Sequence, residues 1–190
     1  MSSTNRSNAR DSHISDYYVT PQGAIKDFII HFFNDEDIQR PDKLATLDPC
    51  AGGDDKHEMS YPSVLKEFGI IPATIDIRED SLADTKGDYL DTTCTNFDMI
   101  ITNPPFNRAI DIVKKALQDV NDGGYVVMLL RLNFFGSKER FPFWQENMPK
   151  YAYVHHKRMS FTAGGGTDSI EYMHCVWQKG YNGDTILKVI

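Results

Sequence analysis

From residue 21 the apolar positions fall at Ala24, Ile25, Phe28, Ile29 and Phe32. That spacing of three and four predicts a helix over residues 21–34. Thr20 stands before it as a cap, with Pro21 at its first position. Beyond a charged connector the pattern changes to short runs that are apolar throughout, predicting strands over residues 43–48, 70–76, 98–102 and 125–130. Between them lie a helix over 60–68 stopped by Gly69 and a second over 107–121. The second carries Ala109, Ile110, Ile112, Val113, Ala116, Leu117 and Val120, and Asp122-Gly123-Gly124 ends it. A further helix is expected at 137–147, with strands at 151–155 and 169–177. Strands apolar on both faces and separated by helices predict an α/β fold, a Rossmann-like, doubly wound and mostly parallel sheet. The last two strands have no helix between them and are expected as an antiparallel edge hairpin. Residues 1–15 are polar and are expected to be disordered, leaving residues 16–190 as a single domain.

Charge adds an asymmetry. The net charge of −7 argues against a protein that coats nucleic acid, which would be basic. Yet residues 1–102 carry 9 basic and 19 acidic side chains, whereas residues 103–190 carry 11 and 8, so two differently charged surfaces are expected. No run approaches the roughly 18–20 apolar residues that span a membrane, and the N-terminal stretch lacks the apolar segment of a signal peptide. Cys50, Cys94 and Cys175 are odd in number, far apart and without a CxxC pair. A reduced cytoplasmic chain with no metal site is expected.

In doubly wound sheets, ligands sit beyond the C-terminal ends of the strands. The unusual residues of this chain fall there: Asp48-Pro49-Cys50-Ala51-Gly52-Gly53 after the first strand, Asp76 at the end of the second, and Asn103-Pro104-Pro105-Phe106 after the next. Two prolines lock their φ angles, fixing the Asn103 amide oxygen and the Pro104 carbonyl as neighbouring acceptors. Two converging acceptors suit an exocyclic –NH2 group, whose lone pair they draw out of conjugation with its ring. Phe106 offers a flat face on which a base can stack. Such a site works by positioning and charge stabilisation, with no tuned acid or base. Each element also has a plain structural reading, as a stiff turn, a strand-to-helix loop or a capping carboxylate.

Taken together, these elements resemble the amino-methyltransferases that use S-adenosylmethionine (SAM), and most of all short phage-type DNA adenine-N6 methyltransferases. The family hallmark (N/D)PP(F/Y) is matched by Asn103-Pro104-Pro105-Phe106. The loop DPxxGxG is matched in part by residues 48–53, with Asp54 where the second family glycine would fall. The (Y/F)xTP element is matched by Tyr18-Val19-Thr20-Pro21. The resemblance covers roughly residues 16–130 and implies a class I methyltransferase fold, with SAM as cofactor and S-adenosylhomocysteine as product. It implies that Tyr18, Thr20 and Pro21 border the methionine end of SAM, with Asp48, Pro49, Cys50, Ala51 and Gly52 wrapping its amino acid part. Asp76 would take the ribose hydroxyls, Ile77 the adenine ring, and Asp88 beside Tyr89 the adenine amino group. Asn103, Pro104, Pro105 and Phe106 would be the catalytic residues, acting on an adenine flipped out of DNA.

Phe161 is the candidate for a second aromatic against the flipped base. Lys138, Arg140, Lys157 and Arg158, with His155 and His156, are candidates for phosphate contact. No separate target-recognition domain is expected, since only 60 residues follow Leu130. Readout then falls on the loops around residues 134–143 and 161–167, on a second copy or on a recognition partner. The expected setting is the cytoplasm of a bacterial or phage-infected cell. Two alternatives stand beside DNA adenine: the same chemistry on another planar amino group (cytosine N4, an RNA base or protein glutamine), and a non-catalytic methyltransferase-like subunit.

Overall fold

A computed structural model of the protein describes residues 19–161 and 170–190. Eight strands form one sheet: β1 (Thr46–Asp48), β2 (Ala73–Asp76), β3 (Thr85–Lys86), β4 (Phe97–Thr102), β5 (Val120–Arg131), β6 (Tyr151–Val154), β7 (Tyr172–Gln178) and β8 (Ile186–Val189). Their order is β3-β2-β1-β4-β5-β7-β6-β8. Strands β3 to β5 run parallel, and β7 is antiparallel to both β5 and β6. The expected fold class is therefore observed, with the antiparallel pair at the expected end of the sheet. The outermost strand there is β8, parallel to β6 and not expected from sequence. Its apolar side chains Ile186, Leu187 and Val189 stay largely exposed, so no alternating pattern announces it.

Among the described residues four α-helices cover the sheet: α1 (Gln22–Asp35), α2 (Ser60–Glu67), α3 (Ala109–Asp119) and α4 (Phe141–Glu146). On one face, Ile25, Phe28, Ile29 and Phe32 of α1 pack with Tyr61 and Leu65 of α2 against Met99, Ile101, Val127 and Tyr153. On the other, Ile112, Val113 and Ala116 of α3 and Phe143 and Trp144 of α4 meet Ile100, Val126, Met128 and Cys175. Alternate residues of β4 and β5 thus enter opposite cores, and this is why both strands read as unbroken apolar runs. No helix among the described residues is long and apolar enough to cross a membrane.

Three boundaries differ from expectation for physical reasons. The first strand is shortened because Pro41–Lys43 forms a 3-10 turn. The helix expected to end at residue 121 stops at Asp119, and Gly123 and Gly124 belong to an irregular start of β5 rather than to a cap. A Cβ on Gly124 would lie 2.8 Å from the Asp98 carbonyl, and Gly123 has φ +77°. Only glycines let the chain fold this tightly against β4. Finally, Thr20 does not cap α1. Pro21 takes the cap position with no side-chain bond, and the Thr20 hydroxyl is used elsewhere.

Candidate active site

The strand order reverses between β1 and β4, and the ends of β1, β2 and β4 open onto one cleft. Asp48, the last residue of β1, is fully buried beneath it. Its Oδ1 accepts from Thr102 Oγ1 at 2.6 Å and from the Cys50 N–H at 3.2 Å, while its Oδ2 has no hydrogen-bond partner among the described residues. Burial pushes the Asp48 carboxyl up to about 7; the Thr102 and Cys50 bonds oppose the rise and the charge of Asp76 adds to it. A buried, unpaired carboxylate oxygen beneath a cleft is suited to a cationic ligand group.

The loop after β1 follows from its two glycines. Gly52 and Gly53 have φ +67° and +74°. A Cβ on Gly53 would sit 2.8 Å from the Met59 side chain and 3.0 Å from Leu82. The left-handed turns thus fall on these glycines, and Asp54 serves the loop with its side chain, accepting from the Lys56 and His57 N–H groups at 2.8 Å. Asp54 in place of the family glycine is thereby accommodated. Asp76 closes the loop from β2: its Oδ2 accepts from the Gly52 N–H at 2.7 Å and its Oδ1 from the Arg78 N–H at 2.8 Å.

At the end of β4, Asn103 Nδ2 donates to Thr20 Oγ1 at 3.0 Å. Asn103 Oδ1 is buried and has no partner among the described residues. The Thr20 hydroxyl thus fixes the amide plane and leaves its oxygen as a vacant acceptor. Asn103 and Pro105 line the first cleft, whereas Phe106 lines a second, wider groove with Asn107, Lys114 and Arg140. The turn of residues 103–106 therefore stands as the wall between two openings.

Of the residues singled out from sequence, Thr20, Pro49, Cys50, Ala51, Asp76, Ile77, Asp88, Tyr89, Asn103 and Pro105 line the first cleft together. Ile77 is 47% exposed there, an apolar surface open to a ligand. Pro21 and Pro104 are not part of that lining, and Tyr18 lies outside the described residues. Asp88 already has both oxygens engaged, Oδ2 by Arg108 at 2.6 Å and Oδ1 by the Leu90 N–H. Tyr89 donates its hydroxyl to Asp119 at 2.8 Å, so only its ring faces the cleft.

The acceptor side departs further from expectation. Phe161 and Phe106 do not meet directly in the described contacts: Tyr172 is between them, 4.9 Å from Phe161 and 6.0 Å from Phe106, ring centre to ring centre. Arg140 donates to the Phe134 carbonyl and lies over its ring, and Arg158 pairs with Glu171. Lys138 is exposed in the turn before α4. His155 is not a surface base. It is buried, its Nε2 is 2.7 Å from His174 Nδ1, and burial lowers its pKa to about 4. The loop of residues 163–167 lies outside the described residues.

Sequence reasoning missed Ser60, Tyr61, Arg78, Arg108 and Ile112 of the cleft lining, and Arg131 and Tyr172 beside Phe106. Strand β7 is buried almost throughout, so no alternation of polar and apolar residues singled out Tyr172.

The chain matches no protein-family model and no curated protein. Solved structures do match. A proposed RNA methyltransferase from Pyrococcus horikoshii superposes with a TM-score of 0.66 at 14% identity, over 93% of this chain and 91% of that one. A proposed class I SAM-dependent methyltransferase from Listeria monocytogenes gives 0.61 at 13%, over 90% and 65%. This is the class I methyltransferase fold. The M protein of the Type I restriction enzyme EcoKI also matches, at 0.59 and 15%, over 89% of this chain but 45% of that one. The chain thus spans less than two thirds of the Listeria and EcoKI proteins. Within the class I fold, the Asp48 loop, Asp76 and the Asn103 turn are three consecutive strand-end positions around one cleft.

Proposed function

We propose that the protein is a SAM-dependent methyltransferase acting on the exocyclic amino group of adenine (N6) in DNA. The observation that carries this reading is Asn103 Oδ1, buried and vacant, oriented by Thr20 at the wall between two openings. A vacant fixed acceptor beside an aromatic ring is what a planar –NH2 group requires.

The residues of the first cleft fit SAM. The unpaired Asp48 Oδ2 suits its ammonium group, Asp76 its ribose, and Ile77 its adenine ring. When bound, SAM supplies a methyl group on a positively charged sulfur. The chain itself orients and excludes. Asn103 Oδ1 and the Pro104 carbonyl draw the lone pair of the acceptor nitrogen out of its ring, and Phe106 holds the base plane. Lines of support for DNA are the Phe at position 106, the Tyr-Val-Thr-Pro element, and the likeness of fold to the EcoKI M protein.

A second reading keeps this chemistry on another acceptor, an RNA base above all. It is favoured by the fuller superposition on the Pyrococcus protein, which covers nearly all of both chains. Nucleoside mass spectrometry after incubation with DNA and with RNA separates the two. We expect N6-methyl-2′-deoxyadenosine from DNA, and methylated ribonucleosides alone would establish the second reading. Asn103→Ala should bind SAM as the intact protein does and lose about 10³-fold in kcat. Undiminished transfer by that variant would remove Asn103 from the mechanism.

A further inference from the structure

Arg131, the last residue of β5, is the cross-strand partner of Tyr172, so both side chains rise from one face of the sheet. Both lie against Phe106: the Arg131 guanidinium is 4.2 Å from the centre of the Phe106 ring, and Tyr172 packs beside it. Arg131 is half-buried, and its Nε is enclosed without a hydrogen-bond partner among the described residues. This is unusual in an acidic chain. The neighbouring arginines are all engaged: Arg108 with Asp88, Arg140 with the Phe134 carbonyl, and Arg158 with Glu171. Arg131 has no carboxylate partner among the described residues, and its contact there is an aromatic face.

A guanidinium is planar and stacks on a ring much as a nucleobase does. Its position over Phe106 is where the proposed function seats the acceptor base. The two cannot share that face. A base that arrives must move the arginine aside, at the cost of its cation–π contact. The displaced guanidinium keeps its charge and its unsatisfied Nε–H at the rim of the same site. A phosphate attached to the incoming nucleotide meets both needs, through charge-assisted bonds that a glutamine side chain or a free base cannot offer.

We propose that Arg131 covers the stacking face of Phe106 before substrate arrives, and then binds a phosphate flanking the inserted base. The acceptor is thereby a base within a phosphodiester chain. This rests on the methyltransferase reading above and narrows it.

The test uses a single-stranded oligonucleotide with one adenine, made with ordinary phosphates or with neutral methylphosphonates on both sides of that adenine. With the intact protein, the methylphosphonates should raise KM about tenfold. Arg131→Gln should show that higher KM already and change little on the neutral oligonucleotide. Its plot of log affinity against log salt should be shallower by about one. Calorimetry should give the same SAM affinity for both proteins, which controls for folding. An Arg131→Gln protein with ordinary KM, salt slope and sensitivity to methylphosphonate overturns the proposal and leaves the methyltransferase reading standing. Higher activity of that variant on both oligonucleotides alike would show a cover without a phosphate contact, and also overturns it. Failure of the intact protein to methylate any oligonucleotide, with transfer to a glutamine peptide instead, removes the nucleic-acid reading itself.

Discussion

On the β1–β2 side of the Asn103 turn, polar groups are tied into the backbone. Asp76 receives two main-chain N–H groups, Asp48 receives one together with the Thr102 hydroxyl, and two glycines set the loop path. On the β5–β7 side the side chains touch one another instead: Phe106 under Arg131, Tyr172 between Phe106 and Phe161, and Arg140 over Phe134. Main-chain bonds hold a carboxylate to one position, whereas stacked side chains can exchange partners at modest cost. The first arrangement suits a ligand of fixed shape, and the second suits an acceptor that must be inserted. Charge follows the same division less simply than composition suggested. Lys150 and Lys188 of the basic half are paired with Glu36 and Asp35 at the end of α1, leaving a smaller basic surface than the residue count implies.

The sharpest way to break this comparison is Asp76→Ala. It leaves the Gly52 and Arg78 N–H groups without their acceptor inside the cleft wall. The expected cost is about 2–4 kcal/mol of stability by denaturant titration. SAM affinity should fall by about 100-fold by calorimetry, since the loop path and the proposed ribose contact are lost together. A variant that binds SAM normally would show that the loop holds its path without β2.

Asp48→Asn should separate stability from binding. The folded carboxyl titrates near 7, above its ordinary value of 3.8, because burial disfavours the charge. Its contribution to stability is therefore full below about pH 4 and is lost as pH rises through 7. The asparagine variant should gain about 2–3 kcal/mol on the intact protein between pH 5 and pH 8. It should also bind SAM about tenfold more weakly at pH 8. In the intact protein, SAM affinity should strengthen from pH 6 to pH 8 as Asp48 ionises. An affinity flat across that range would sink the pairing of Asp48 with the ammonium group.

The contrast between the two sides also explains what could be read from the chain alone. The Asp48 loop, Asp76 and the Asn103 turn were legible because each is a local pattern at the end of an apolar run, where glycine, proline or a carboxylate has a backbone role. The mostly parallel sheet around them followed from the α/β pattern, though not the order of its strands. Thr20 was legible as a residue of interest but not in its role, because its partner Asn103 is 83 positions away. Arg131 and Tyr172 carry no local signal. They meet only because β7 pairs antiparallel with β5 in a register that opposes them. Strand β8 escaped because its apolar side chains remain exposed, and His155 was misjudged because its inward turn depends on His174.

The smallest expected effect on binding concerns the buried chain that runs from the cleft wall along the α1 face of the sheet. The hydroxyl of Tyr61, a residue of the cleft lining, is 2.9 Å from His174 Nε2, and His174 Nδ1 is 2.7 Å from His155. His174 is stacked on Phe28 at 4.1 Å, so His174→Phe preserves that packing and removes only the polar contacts. It should cost about 2 kcal/mol at pH 7, with two buried groups left unpaired. SAM affinity should change by no more than about threefold, because Tyr61 remains wedged in α2. Burial lowers the pKa of both histidines, His155 to about 4 and His174 well below its usual value. Unfolded histidines take up protons near 6.5, so this pair's stabilisation is present above that pH and lost on acidification toward 4. Denaturant titrations from pH 7 to pH 4.5 should show a steeper decline for the intact protein than for the variant. Equal slopes would mean that the two histidines are not kept neutral by the fold. A loss of SAM binding as large as that of Asp76→Ala would instead move Tyr61 and His174 into the cofactor site.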